Sequence, residues 1–185
     1  MSLIQQITEW HKEQVHRLSQ LETLIDNICI NNGSIYSYFT YAITISHTVE
    51  QDSYLLGSMH VQNISNHVIT NPLICLKISA TSPFDFSGKY IYPNTTQKMQ
   101  VTGAWERINE ATNKEEYWLR PTHKQVIEPG ETITFSNFQL KWKVDQQYNY
   151  HLYGYVYSDE YKDGVPTKNQ INVNGKVEGE DSDVD

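Results

Sequence analysis

The stretch FTYAITIS, residues 39–46, shows the pattern that decides the fold. Large apolar or aromatic side chains alternate there with small or polar ones, and residues 55–62, LLGSMHVQ, repeat the alternation. Because successive side chains of a β-strand point to opposite faces, each stretch predicts a strand with one face in a core. In the first stretch the expected core-facing residues are Phe39, Tyr41, Ile43 and Ile45.

Three later stretches extend this pattern. Residues 73–78, LICLKI, are apolar on both faces, which predicts a central strand that is covered on both sides. In residues 133–142, ITFSNFQLKW, the apolar phase changes at Ser136 and Asn137. Side chains alternate strictly along a strand, so this change requires a bulge, a kink or a change of sheet. Residues 148–158 predict the last strong strand, with a short final strand around Ile171 and Val173.

Composition restricts the class of protein. The chain has 185 residues, 13 of them Tyr, which fits one mainly β domain plus an appendage. Residues 177–185 contribute five acidic side chains and no basic ones, so the rest of the chain has a formal charge of −3 once these are subtracted from −8. A near-neutral body without a basic stripe argues against nucleic acid as a partner. No pattern predicts a cofactor or a membrane span.

The first residues predict a long helix. Residues 3–30 contain no Pro or Gly, and Asn31, Asn32 and Gly33 supply a stop signal. Apolar residues at alternating steps of three and four form the a/d seam of a coiled coil, interrupted by His11 and Gln14. The aliphatic members of this seam are Ile4, Ile7, Leu18, Leu21, Ile25 and Ile28. The expected domains are thus the helix at 1–32, a β-sandwich at 33–175 and a disordered acidic tail at 176–185.

The seam has two interpretations. An amphipathic helix buries its apolar stripe somewhere, and the β body of the same chain is one possible cover. A helix of this length is about 40 Å long at 1.5 Å per residue, so it would overhang a compact sandwich. We therefore expect self-association through the seam, which makes the protein a homo-oligomer of undetermined number. The N-terminal residues do not resemble a signal peptide, so we expect a cytoplasmic protein, and the residues do not tell whether it associates with a spore or a cell surface.

Aromatic residues provide the candidate binding sites. Tyr153, Tyr155 and Tyr157 fall on one face of the last strong strand, and Tyr combines a broad apolar ring with a polar tip suited to interfaces. The row either faces a partner or lies under the helix or a loop of the same chain. Trp105 and Trp118 either plug the ends of the sandwich or act as stacking platforms for a glycan.

Motifs for catalysis are absent from the sequence. It has no phosphate-binding glycine loop, no GxSxG nucleophile elbow and no CxxC. His47, His60 and His67 lack the spacing that would guarantee convergence on a metal. Four carboxylates near Trp105 and Trp118 resemble either a glycosidase groove or a charged surface loop, namely Glu106, Glu110, Glu115 and Glu116. We therefore expect no enzymatic activity, with a cryptic hydrolase as an alternative.

Two segments support a family resemblance. Residues 57–78, GSMHVQNISNHVITNPLICLKI, resemble a strand-turn-strand signature of bacterial immunoglobulin-like sandwiches. Residues 127–135, IEPGETITF, are similar to the proline-glycine turn and following strand of CARDB-like domains. The overall layout is similar to that of uncharacterised proteins of spore-forming Gram-positive bacteria. The resemblance implies an antiparallel immunoglobulin-like sandwich with an adhesion, assembly or spacer role.

Together these features predict a structural or interaction protein. In this hypothesis the helix holds a homo-oligomer together, and the tyrosine row contacts another protein or another copy. The alternative is a carbohydrate-binding module that recognises a cell-wall glycan through its Trp and Tyr side chains.

Overall fold

The computed structural model describes residues 3–31, 34–46, 51–80, 82, 84–93, 103–143 and 147–175. The chain divides into two compact units, Met1–Ser34 and Ile35–Asp185. The acidic tail that the sequence predicts at 176–185 lies outside the described residues.

The first unit contains one helix, α1, at Leu3–Asn31, so the predicted helix at 3–30 is confirmed. Ile7, Leu18 and Leu21 have exposed side chains. The other seam residues, Ile4, Ile25 and Ile28, lie outside the residues whose side chains are described. Within the described residues, no helix combines the length and the apolar character that crossing a membrane requires.

The second unit contains thirteen strands in its described residues. They are β1 Ile35–Thr44, β2 Ser53–Asn63, β3 Ile69–Thr70, β4 Leu73–Ile78, β5 Asp85–Ser87, β6 Tyr90–Ile91, β7 Trp105–Arg107, β8 Glu116–Pro121, β9 Val126–Ile127, β10 Thr132–Trp142, β11 Tyr148–Tyr157, β12 Val165–Pro166 and β13 Ile171–Gly175.

The strands form two main sheets. The smaller has the order β1-β2-β10-β5, and the larger has the order β12-β11-β4-β8-β7-β6, with β13 also paired to β11. Strands β3 and β9 form a separate ribbon. Apart from the parallel pair β6 and β7, the strands pair antiparallel. Strand β4 lies between β11 and β8 with Cys75 buried, which confirms the central strand predicted at 73–78.

The predicted irregularity in β10 is a bulge. The register with β2 shifts between Phe135 and Phe138, and Asn137 has a φ of 58°. The backbone N–H of Asn137 donates to Oγ of Ser58 at 3.2 Å. Both Phe135 and Phe138 are fully buried, because the extra residue turns the second half of the strand back toward the core.

Aromatic rings fill the space between the two sheets. A Cβ atom on Gly57 would lie 2.5 Å from the ring of Phe138. A Cβ atom on Gly154 would lie 2.7 Å from the ring of Phe39. The Phe39 and Phe138 rings meet edge to face at 6.0 Å. Because real Cβ atoms do not approach other atoms this closely, each glycine makes room for a ring. The two sheets therefore share one aromatic core.

The core ends partway along β1. Phe39 is buried, but Tyr41, Ile43 and Ile45 are 45%, 40% and 39% exposed. The expectation that all four residues face the core was therefore wrong for the last three. Alternation determines which way a side chain points, whereas burial also requires an opposing sheet. Phe39 is covered by the larger sheet, because its ring packs on Gly154 of β11.

Arg107 is a buried cation that organises the turn before β8. It is 2% exposed, and its guanidinium lies 4.2 Å from the centre of the Tyr117 ring. Its Nε donates to Oδ1 of Asn109 at 3.1 Å, and its Nη2 donates to the carbonyl oxygens of Glu110, at 3.0 Å, and Asn113. Charge-assisted hydrogen bonds and cation–π contacts thus offset the cost of burying the charge.

We expect Arg107→Met to lower the free energy of unfolding by about 3 kcal/mol, because it removes a buried guanidinium together with its partly buried, charge-assisted hydrogen bonds to the turn. The matched control is Arg120→Met in β8, where an exposed arginine pairs with Glu106. That loss should cost less than about 1 kcal/mol. Urea unfolding of both variants measures the difference, and equal losses would contradict the structural role of Arg107.

Candidate interaction surface on the larger sheet

Strand β11 directs three tyrosines to the outer face of the larger sheet. Leu152 and Val156 are fully buried on its inner side. Since side chains alternate, Tyr153, Tyr155 and Tyr157 point outward, where each is half-buried. The glycine between two of them, Gly154, leaves the space that Phe39 occupies below.

Strand pairing brings a tryptophan to the same face. Tyr155 lies opposite Cys75 of β4, and Cys75 lies opposite Trp118 of β8. The Trp118 and Tyr157 rings contact each other with centroids 4.9 Å apart. We call Tyr153, Tyr155, Tyr157 and Trp118 the aromatic face. These residues come from two strands about forty positions apart, so only the strand order could reveal that they form one surface.

Cys75 shows how closely these rings cover the sheet. It lies on the outer side of β4, yet it is 3% exposed. Its cross-strand neighbours on this face are Tyr155 and Trp118, and we infer that their side chains cover the thiol. Burial raises the pKa of the Cys75 thiol to about 12, so the thiol stays protonated at neutral pH. Alternation along β4 could have assigned Cys75 to this face, but the sequence alone could not show what covers it.

Two carboxylates beside the aromatic face, Glu116 and Glu106, are paired with basic side chains. Glu116 accepts a hydrogen bond from Nε1 of Trp118 at 3.0 Å and lies 3.1 Å from Nζ of Lys77. These two contacts, Trp118 first, hold the pKa of Glu116 below its ordinary value. Glu106 pairs with Arg120. A general acid needs a raised pKa, so the setting of Glu116 favours a fixed carboxylate that orients the indole ring.

Trp105 is not part of this surface. It is 4% exposed and packs edge to face on Phe135 with centroids 5.6 Å apart. Its Nε1 donates to the carbonyl oxygen of Thr134 at 3.3 Å. The predicted glycan platform at Trp105 is therefore corrected, since its ring belongs to the core and offers no free face to a ligand.

The candidate metal ligands do not converge in the described part of the chain. There, no group of three His, Cys, Asp or Glu side chains could hold a metal ion. His60 lies on the outer face of the smaller sheet between Thr40, at 2.9 Å, and Thr134, at 3.1 Å. Partial burial lowers the pKa of His60. His67 is exposed in the turn after β2, and His47 lies outside the described residues.

Two acidic residues after β11 hold a turn. Glu160 accepts a hydrogen bond from the Thr70 hydroxyl at 2.6 Å, and Asp159 accepts one from Nδ2 of Asn71 at 2.6 Å. Asn71 has a φ of 51°, so these contacts stabilise a left-handed residue between β3 and β4.

A shallow groove lies at one end of the aromatic face. Its volume is about 300 Å³, and Tyr153 and Tyr155 line it together with Lys168 and Asn169 of the segment between β12 and β13. The face therefore offers ring surfaces beside polar groups that could donate or accept hydrogen bonds.

Comparisons with known proteins find only distant structural likeness. No family model and no curated protein matches the chain. A crystal structure of BslA, a bacterial hydrophobin, has a TM-score of 0.40 and 10% identity over 75% of this chain and 92% of its own. A family GH20 exo-β-N-acetylglucosaminidase from Vibrio harveyi has a TM-score of 0.30 and 9% identity over 77% and 17%. A family GH18 chitinase from Chromobacterium violaceum has a TM-score of 0.33 and 6% identity over 71% and 18%.

This chain thus spans less than a fifth of either glycosidase. At these TM-scores the likenesses carry no argument about what the chain does.

We expect the Cys75 thiol to react slowly with a thiol reagent at pH 8 in the folded protein, because it is covered and its pKa is about 12. Cys29→Ser removes the other thiol from the measurement. In urea the rate should rise at least about a hundredfold as the thiol becomes exposed and its pKa falls to about 8.5. A native rate equal to the rate in urea would show that the rings do not cover Cys75.

Proposed function

We propose that this chain is a non-enzymatic structural or interaction protein. In this proposal the aromatic face contacts a protein partner or another copy of the chain. The seam of α1, including Ile7, Leu18 and Leu21, holds a homo-oligomer together. Support for this homo-oligomer comes from the described side chains of the seam, which are exposed aliphatic residues on a helix of 29 residues.

The observation that supports a contact role is the grouping of three half-buried tyrosines and Trp118 on the outer face around the buried Cys75, with the Trp118 and Tyr157 rings in contact. Tyr and Trp bring large contact areas with few rotatable bonds, and they are enriched at protein interfaces. Glu106 and Glu116 beside the face are each paired with a base, so the face lacks a strong field of one sign. A surface of this kind suits a partner that is neutral and largely apolar where it makes contact.

We also propose that the two-sheet body is an immunoglobulin-like sandwich. Support comes from the segment that carries the resemblance. Strand β2 ends at Asn63, and its Nδ2 donates to the carbonyl oxygens of His67, at 2.6 Å, and Ile127, at 2.9 Å. Gly130 has a φ of 77° in the turn before β10. One asparagine thus joins the turn after β2 to the proline-glycine segment.

A glycan-binding role is the second candidate. The observation that favours it is the hydrogen bond from Trp118 to Glu116, which sets an indole ring beside a carboxylate and the ammonium of Lys77. Rings stack on the apolar faces of sugars, and such polar groups can bind hydroxyls. Trp118 and the three tyrosines would serve here without Trp105, which is buried.

The contact role predicts cross-linking at Tyr155. We would replace Tyr155 with the photoreactive residue benzoylphenylalanine in the full chain and irradiate cells that produce it. We expect a discrete cross-linked product, which mass spectrometry identifies as another copy or a second protein. The control places the same group at Ile64, an exposed residue in the turn after β2. Equal cross-linking at both positions would contradict the proposal.

A titration with glycans distinguishes the contact role from the glycan-binding role. Trp fluorescence of the full chain is titrated with chitin oligosaccharides and with peptidoglycan fragments. A saturable change that Trp118→Phe abolishes, together with no cross-link at Tyr155, would replace the contact role by the glycan role.

Charged substitutions test whether the seam of α1 holds the subunits together. The double variant Leu18→Glu with Leu21→Glu should lower the molar mass in light scattering, because carboxylates do not pack in a coiled-coil seam. The control, Ser19→Glu with Gln20→Glu, adds the same charge away from the seam and should leave the mass unchanged. A seam variant with the mass of the wild type would show that α1 does not hold the subunits together.

A further inference from the structure

Strand β1 is an edge strand whose first half is occupied by the chain itself. In the described residues it pairs only with β2. Its other edge is contacted by the segment between β12 and β13, where the N–H of Lys168 donates to the carbonyl oxygen of Ser37 at 2.8 Å. The side chain of Asn169 accepts from the N–H of Phe39 at 2.7 Å and donates to its carbonyl oxygen at 2.9 Å. Asn169 thus takes the place of a neighbouring strand.

Among the residues that the structure describes, none covers the second half of the same edge in this way. Backbone groups two residues apart in a strand point the same way, so the N–H and C=O of Tyr41 and Ile43 point outward like those of Phe39. Within the described part of the chain, these groups have no hydrogen-bond partner. Unpaired strand edges of this kind readily accept another strand.

The side chains around this open edge are apolar on both faces. Tyr41, Ile43 and Ile45 are exposed on one face, and Leu56 and Tyr54 of β2 are 46% and 48% exposed on the other. Residues 34–46, SIYSYFTYAITIS, contain no charge and no proline. Natural proteins protect free edges with lysine, proline or bulges, and this half of β1 has none of these. The edge therefore has the chemistry of an interface.

We propose that this edge pairs with the same edge of a second copy, antiparallel about a two-fold axis at Ile43. This inference rests on the assembly part of the proposed function and gives it a second contact. In this register Ile43 lies opposite Ile43 and Tyr41 lies opposite Ile45, so the apolar face continues across the axis. The outward backbone groups of these residues face each other as hydrogen-bonded pairs. Two four-stranded sheets become one sheet of eight strands.

A second copy fits this edge better than a different protein. The pattern from Tyr41 to Ile45 reads nearly the same in both directions, with large apolar residues at 41, 43 and 45 and small ones at 42 and 44. A two-fold interface requires a surface that complements itself, which this pattern provides. An edge without charge offers no electrostatic signal to select another partner.

Charge at Ile43 tests this pairing in the full chain. Ile43→Lys and Ile43→Glu each place two like charges face to face at the axis, so we expect at least a tenfold weaker association by sedimentation. An equimolar mixture of the two variants should restore association, because lysine then faces glutamate. The control pair, Gln139→Lys and Gln139→Glu, changes an exposed position of β10 that lies away from the edge and should have no effect alone or mixed.

Circular dichroism and urea midpoints check that every variant folds. The rescue in the mixture is itself independent of folding, since a misfolded variant cannot be restored by another. Single variants that associate like the wild type would overturn the proposal. So would a mixture that behaves as the average of its two components.

A disulfide gives a second measurement. Opposed residues in hydrogen-bonded antiparallel pairs lie about 5.5 Å apart at Cα, within the range that a disulfide can bridge. In the Cys29→Ser background, Ile43→Cys should form a covalent dimer on mild oxidation, and Gln139→Cys should not. Equal dimer yields at the two positions would overturn the proposal.

The same measurements on the helix variant separate this inference from the proposed function. If the variant Leu18→Glu with Leu21→Glu has the molar mass of the wild type while Ile43→Cys still forms its disulfide, only the proposal for the helix seam fails. If the seam variant lowers the mass while neither Ile43 test responds, the edge proposal fails alone. If the wild type is a monomer and no disulfide forms, both fail.

Discussion

The fit of two phenylalanine rings over two glycines is the constraint on which the body of this protein depends. Phe138 covers Gly57 within the smaller sheet, and Phe39 reaches across to Gly154 of the larger one. Any side chain at either glycine would collide with a ring. Because Phe138 faces inward only after the bulge at Asn137, the register of β10 and the separation of the sheets are determined together. The outward direction of the β11 tyrosines follows from the same packing, since Gly154 must face Phe39.

The sequence predicts those features of the fold whose pattern lies within a single strand or helix. The apolar phase change at Ser136 and Asn137 predicts the bulge, and the two-sided apolar run at 73–78 predicts the central position of β4. The helix boundaries follow from a segment without Pro or Gly that ends at Asn31. In each case the cause is local, because the dihedral angles and side-chain directions of neighbouring residues determine the outcome.

Features that depend on contacts between distant segments are not predictable in this way. Nothing local distinguishes Trp105, which is buried against Phe135, from Trp118, which lies on the outer face. Alternation shows that Tyr41 and Ile43 share a side with Phe39, but not that the core stops at Phe39. Three of the four residues of the aromatic face, the tyrosine row, could therefore be derived from β11. Its link to Trp118 through Cys75 requires the order of three strands.

Asn169 explains why β1 has two halves with different chemistry. Its amide satisfies both backbone groups of Phe39 as a strand would, but a single side chain can satisfy only one residue. The open half exposes only about five residues, so pairing there is weak unless another contact raises the local concentration. An exposed apolar seam on α1 is suited to that task. The aromatic face lies on the outer side of the other sheet, so edge pairing leaves it free for a different contact.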